Sequence, residues 1–417
     1  MLNAMMAEID EAQRAEKSRR CRVKVPCLGR VCLPSRGIRV IPFNKPARVG
    51  CELEYIAQAI DSSHASSGGF FSSKVETLLA DQLGAADVLL TTSCTDALEL
   101  SALLLDIAPG DVVIVPSFTF VTTALAFARA GATIRFADIE PETLGIDPGA
   151  VEDLIDDTVK AVVPVHYAGV GCKIVELEKV VDGRAAIIED NAHGLFGSIG
   201  ECKLGSFGRM STLSFHETKN FTCGEGGALV LNHDADVERA HVLLDKGTNR
   251  RQFIRGAVDR YTWVDTGSSF GLSDLLAAYL WAQLEKRESI LDRRKRLFEG
   301  YHAALGPRQE EFNFWCPIVP VDRTPAWHMY YLLVASRPER DALLEYLAGA
   351  GVNATFHFVP LHSSPGGIRV SDRAAHCPVS DDVSGRLIRL PLYFDLTPSE
   401  QERVCELVLR FFEHGVR

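Results

Sequence analysis

Three short segments of this chain carry side chains whose types and order could do chemistry together. The last in sequence is Ser214-Phe215-His216-Glu217-Thr218-Lys219-Asn220, followed by Gly224-Glu225-Gly226-Gly227. Strand alternation puts Ser214 and His216 on one face, and the glycines let the backbone run close to something flat or anionic. A lysine desolvated in such a place loses part of its basicity and can condense with an aldehyde. Taken alone, Lys219 reads as a surface lysine beside a hairpin. The second segment is Glu189-Asp190-Asn191-Ala192-His193, directly after Ile187-Ile188. A carboxylate ending a buried strand is costly unless paired; a protonated pyridine nitrogen, a helix N-terminus or an arginine would each serve. The first segment is Thr91-Thr92-Ser93-Cys94-Thr95-Asp96-Ala97. Its hydroxyls and free N–H groups at a helix start suit a phosphate, and an ordinary cap by Ser93 or Thr95 explains it as well.

The elements that must position these residues follow from the hydrophobic pattern. From about Val88 the chain alternates short apolar runs with helical stretches: Val88 to Leu90, Asp111 to Val115, Thr133 to Phe136, Ala161 to Val165 and Ala186 to Ile188. These runs are apolar on both faces, as parallel strands covered by helices must be. The alternation predicts an α/β sheet with right-handed crossovers. Ser211 to Phe215 and Ala228 to Leu231 add two strands around Lys219. A helical pattern from Ser273 to about Leu305, with Leu276, Leu280, Leu284 and Leu291 on its apolar stripe, leads out of this unit. The remainder reads as a smaller α+β domain, with strands at Tyr331 to Val334 and Thr355 to Val359 and helices at Arg340 to Ala350 and Ser399 to Phe412. The expected organisation is a basic N-terminal extension over 1–40, a large domain over 41–290 and a small C-terminal domain over 291–417.

In open α/β sheets ligands bind at the carboxyl ends of the strands, and all three segments fall there. A phosphate cradle, a strand-end carboxylate and a later lysine, in that order, are what a pyridoxal phosphate site on such a fold needs. The matching stretches are long. They include Leu90 to Thr95, Pro116-Ser117-Phe118-Thr119-Phe120-Val121, Pro164-Val165-His166-Tyr167-Ala168-Gly169 and Ser214 to Asn220. They continue with Lys246-Gly247-Thr248-Asn249-Arg250, Tyr279 to Leu284 and Phe356 to His362. From about Ile41 onward the chain resembles the sugar-nucleotide aminotransferase family (DegT/DnrJ/StrS) of fold type I pyridoxal phosphate enzymes, and most resembles its WecE-like dTDP-4-amino-4,6-dideoxyhexose transaminases.

The resemblance implies a mostly parallel seven-stranded sheet in the large domain. Lys219 would carry the cofactor aldehyde and Asp190 would pair with its ring nitrogen. Phe120 would stack on the ring, Cys94, Thr95 and Ser214 would hold the phosphate, and His193 would lie near the ring hydroxyl. Ser269 matches the residue that reaches the phosphate from a second subunit, where many relatives have asparagine, so a homodimer with shared sites is expected. The sugar nucleotide would meet Asn249, Arg250, Phe253, Arg255, Tyr261 and Trp263, and His328, His357 and His362 would close over the sugar. L-Glutamate is the expected amino donor and dTDP-4-keto-6-deoxyglucose the expected acceptor, with amination at carbon 3 as the alternative. No metal is expected; His357 and His362 have zinc-like spacing without a third ligand.

Two rivals belong to other classes. Gly267-Ser268-Ser269-Phe270-Gly271 matches a serine-hydrolase elbow, with Asp395 and His414 as downstream partners. Relatives that replace the lysine by histidine are dehydratases, and Lys219 disfavours that reading. Composition narrows the field further. A formal net charge of -11 argues against binding nucleic acid through phosphate contacts, and no apolar run is long enough to span a bilayer. The 11 scattered cysteines read as reduced cytoplasmic thiols. The first forty residues are rich in Arg and Lys without an apolar signal core, and read as a disordered tail, with Val40 as an alternative start; Cys21, Cys27 and Cys32 match no common metal spacing.

Overall fold

The computed structural model describes residues 40–415, and the expectations for residues 1–39 lie outside them. Seven strands form the central sheet: β1 (Asp87–Thr91), β2 (Val112–Pro116), β3 (Thr133–Ala137), β4 (Val159–Val162), β5 (Ala186–Asp190), β6 (Met210–Ser214) and β7 (Gly227–Leu231). Their order is β1-β7-β6-β5-β4-β2-β3. β7 runs antiparallel to both neighbours, and every other pair is parallel. This is the mostly parallel seven-stranded sheet that the sequence implied.

Helices cover both faces: α1 (Phe70–Leu83), α2 (Cys94–Leu104), α3 (Thr122–Ala130), α4 (Asp234–Leu244) and α5 (Asp274–Glu285). Side-chain alternation along the strands feeds two layers. Leu89, Val113, Val115 and Ile134 pack with Leu98, Phe127 and Leu243 on one side. Val88, Leu90, Leu213 and Phe215 pack with Phe71, Leu79 and Leu280 on the other.

The helix expected from Ser273 to Leu305 is two helices, α5 and α6 (Arg287–Leu305), separated at Lys286. They serve different cores. α5 buries Ala277, Leu280 and Leu284 against the large sheet, whereas α6 turns Leu297, Phe298, Tyr301 and Leu305 into a second core. That second core lies on a two-stranded antiparallel ribbon, β8 (Tyr330–Leu333) with β9 (Leu387–Leu390), packed by α7 (Arg337–Gly349) and α8 (Pro398–Glu413). Ile41 bridges Val352 and packs in the same core, so the first described residues join the C-terminal unit. The strand expected at Thr355 to Val359 is reduced to one bridge between Thr355 and Arg389. Beyond it the chain bends, and His357 and Phe358 line a cavity.

Candidate active site

The cavity has a volume of about 500 Å³ and opens at the carboxyl ends of the parallel strands. α2 begins there. Ser93 caps it by accepting the Asp96 N–H at 3.1 Å, while the N–H groups of Cys94 and Thr95, in the first turn, have no carbonyl of their own helix to meet. Ser93 is thus the cap, and Cys94 and Thr95 face the cavity beside Ser214. The close approach depends on Gly227, where a Cβ would come within 2.4 Å of the Cys94 nitrogen. Burial pushes the Cys94 thiol up to about 12, so it stays protonated.

Asp190 ends β5 and is 5% exposed. Its carboxylate accepts Thr123 Oγ1 at 2.8 Å and the Ala192 N–H at 3.2 Å. Burial raises its pKa, against the pull of those hydrogen bonds and of Lys219 and His166. Directly beneath, fully buried Glu189 accepts the N–H groups of Gly205, Phe207 and Gly208 and pairs with His166 at 2.8 Å. Lys219 follows β6, its N–H bonded to His216 O at 2.9 Å, and its side chain enters the cavity. Burial draws its amine down to about 8, Arg389 acting in the same direction and Asp190 against it. Among the described residues neither Lys219 nor Asp190 has an ion-pair partner within bonding distance.

The far wall joins His193, from the segment after β5, to residues of the C-terminal unit. His193 and His328 stack with centroids 4.4 Å apart, and His357 lies parallel to His193 at 6.4 Å and to Phe358 at 3.9 Å. Burial holds all three imidazoles neutral, His357 at about 2. Asn220, next to Lys219, ties the wall to the floor by bonding His328 Nδ1 at 3.0 Å and Ala326 O at 2.6 Å.

The chain matches the DegT/DnrJ/EryC1/StrS aminotransferase family over residues 48–409. It belongs to that family. Solved relatives share the fold over nearly their whole length. The aminotransferase TlmJ from Streptoalloteichus hindustanus is 26% identical with a TM-score of 0.83, covering 91% of this chain and 100% of its own. A DegT DnrJ EryC1 StrS aminotransferase from Brucella abortus is 26% identical with a TM-score of 0.79, covering 87% of this chain and 95% of its own. The sugar aminotransferase Spr1654 from Streptococcus pneumoniae, solved in PLP form, has the same fold at 24% identity and a TM-score of 0.83, covering 91% and 100%. The cofactor of this aminotransferase family is pyridoxal phosphate.

The cavity suits that group. It offers a helix start and hydroxyls at one end, a buried carboxylate lacking a cation in the middle, an amine at its floor, and a buried His193 Nδ1 with no partner. Of the residues singled out from sequence, Cys94, Thr95, Phe120, Asp190, His193, Ser214, Lys219, His328 and His357 line it together. The others lie elsewhere. Ser269 is exposed, and its backbone bridges Asp245. Phe253, Tyr261 and Trp263 are exposed, 78% for Trp263, as are Arg250 and Arg255. Asn249 is buried, its amide spent on Arg260 O and the Thr262 N–H, so it shapes the loop. His362 bonds Ser117 at 2.6 Å, and His357 has both ring nitrogens engaged by Tyr167 and Arg389, which leaves no zinc pair. Ser269, Asp395 and His414 do not assemble a triad; Asp395 pairs with Lys45 at 2.8 Å. Sequence reading overlooked Thr123, Phe358 and Arg389. The signal for Arg389 was a charge inside the apolar run Leu387-Ile388-Arg389-Leu390.

Proposed function

We propose that this aminotransferase moves an amino group from L-glutamate to a keto sugar carried on a nucleotide, dTDP-4-keto-6-deoxyglucose in the first instance. The observation that carries the transfer chemistry is the half-buried Lys219 amine facing the same cavity as the uncompensated Asp190 carboxylate. Pyridoxal phosphate supplies an aldehyde that condenses with amines and a protonated ring that accepts an electron pair. Asp190, oriented by Thr123 and the Ala192 N–H, would keep the ring nitrogen protonated, and Cys94, Thr95 and Ser214 would hold the phosphate. Lys219 would hold the aldehyde. Its amine, when free, would take the proton from the donor Cα and return one to the sugar carbon. An amine brought down to about 8 is suited to both directions of that transfer near neutral pH.

The neutral imidazoles of His193, His328 and His357 wall the side from which the substrate enters. Exposed Ser269 and the segment with Arg250, Phe253, Arg255, Tyr261 and Trp263 complete the site of a second protomer, so the working form is a homodimer. Arginines there suit a diphosphate and aromatic faces suit a base. The test is NMR of the product made from dTDP-4-keto-6-deoxyglucose, glutamate and the cofactor-loaded protein. An amine at carbon 4 supports the reading and gives its axial or equatorial setting. An amine only from a 3-keto sugar moves the chemistry to carbon 3, and no amine from any nucleotide-linked ketone refutes the acceptor class.

A further inference from the structure

One cation in the cavity has no part in the scheme above. Arg389 is 8% exposed, on β9, at the cavity wall. Its Nη1 donates to His357 Nε2 at 2.6 Å, its guanidinium lies 4.7 Å over the Phe43 ring, and its Nε has no partner. Among the described residues no carboxylate comes within ion-pair distance of it. Among the other described buried arginines, Arg135 pairs with Asp156 and Asp372 and Arg340 with Asp341, while Arg294, also without a carboxylate, spends its N–H groups on the carbonyls of Trp327, His328 and Leu392. Nor do the neighbours of Arg389 provide charge. With Arg389 donating to Nε2, His357 carries its proton on Nδ1 and donates it to the Tyr167 oxygen, 3.2 Å away. Tyr167 is buried and kept protonated. A buried guanidinium left this way is completed by an anion from outside the chain.

Three anions enter such a site. The cofactor phosphate would belong to the cradle of Cys94, Thr95 and Ser214 at the start of α2, whereas Arg389 reaches the cavity from β9. The diphosphate of a sugar nucleotide is a hexose ring away from the reacting carbon, whereas Arg389 lines the same cavity as Lys219. The α-carboxylate of an amino acid is one bond from the carbon whose proton Lys219 takes. We propose that Arg389 binds the α-carboxylate of the amino donor, with the Tyr167–His357 pair fixing its orientation. This rests on the reading that an amino acid is the donor. The planar guanidinium offers two parallel N–H groups to a carboxylate, which a lysine does not.

The two half reactions separate the possibilities in the cofactor-loaded protein. Glutamate alone converts the cofactor to its amine form, and the amine form then reacts with keto sugar; each is followed by absorbance. Arg389→Gln is expected to raise the half-saturating glutamate concentration on the order of 100-fold, and Arg389→Lys by less, while keto-sugar saturation stays unchanged. Glutarate, which has carboxylates and no amine, is expected to bind the wild type in calorimetry and not Arg389→Gln. Retained cofactor absorbance and circular dichroism establish that the variants fold. Unchanged glutamate saturation overturns the proposal, and so does a defect confined to the keto sugar, which would place the anion on the acceptor. A wild type inert to glutamate counts against that donor, and the same comparison with glutamine or alanine then decides the role of Arg389.

Discussion

The amine of Lys219 is expected to titrate near 8 in the cofactor-free protein instead of 10.5, and charge removal around it has a predictable sign. At pH 7.5 a lysine of pKa 8 is neutral in roughly a quarter of molecules, against about one in a thousand for an ordinary lysine. The reactive fraction is therefore raised by about two orders of magnitude. The assay is stopped-flow addition of pyridoxal phosphate to the apoprotein between pH 6.5 and 10.5. Dividing by the rate for a simple alkylamine removes the aldehyde's own titration. The normalised rate should level off above a midpoint near 8. Asp190→Asn removes an anion that favours the ammonium, so its midpoint moves below 8. Arg389→Met removes a cation that disfavours the ammonium, so its midpoint moves above 8. Burial is the larger cause and persists in both variants. A rate climbing tenfold per pH unit through pH 10 would refute the reasoning, as would both variants moving the same way.

The same depression sets a cost in stability. Because the folded pKa lies below the unfolded one, the cost is full below pH 8 and disappears as pH rises past 10.5. Lys219→Met should stabilise the apoprotein at pH 7 by up to ~3 kcal/mol in urea titrations, and by nothing near pH 11. Glu189→Gln replaces an acceptor of three backbone N–H groups and His166 with a group that must donate. It should lose about 3–5 kcal/mol of stability in the same titrations. Gly227→Ala drives a methyl to within 2.4 Å of Ser93 and Cys94 backbone, displacing the start of α2 from the sheet. It should cost ~2 kcal/mol and weaken cofactor affinity measured by fluorescence, with Lys219 reactivity retained.

The cavity-lining residues singled out from sequence around the large sheet share one property: each lies within a few residues of a strand end, in a contiguous segment. Asp190, Ser214 and Lys219 follow apolar runs whose length fixes where the chain leaves the sheet. The residues that were missed depend on tertiary packing. Thr123 is an unremarkable hydroxyl on the first turn of α3, and only the crossing of that helix over β5 brings it to Asp190. Arg389 lies inside a strand that the pattern did not register, because Leu387-Ile388-Arg389-Leu390 is too short to show a period. The break between α5 and α6 was equally silent, since both halves carry a valid apolar stripe and differ only in which core receives it. The aromatic and basic segment around Asn249 to Trp263 has residue types suited to a nucleotide, yet within one chain it faces outward.

The charge distribution links these pieces. With the three imidazoles neutral, the cavity sets one buried carboxylate, Asp190, against two basic groups, Lys219 and Arg389; Glu225, also in its lining, is exposed and faces His216 at 3.5 Å. Such a site is completed by anions, and the order in which they arrive matters for Lys219. Arg389 contributes to the low basicity of that amine. A carboxylate seated on Arg389 cancels that field, so the amine regains basicity when the donor binds. Before binding, the weaker base is more often neutral and free to react; after binding, the stronger base is the better acceptor for the donor's Cα proton. The coupling has a signature. A saturating carboxylate without an amine, such as glutarate, should raise the Lys219 midpoint in the stopped-flow assay, and should leave it unmoved in Arg389→Met. A midpoint shift of equal size in both proteins would place the carboxylate elsewhere.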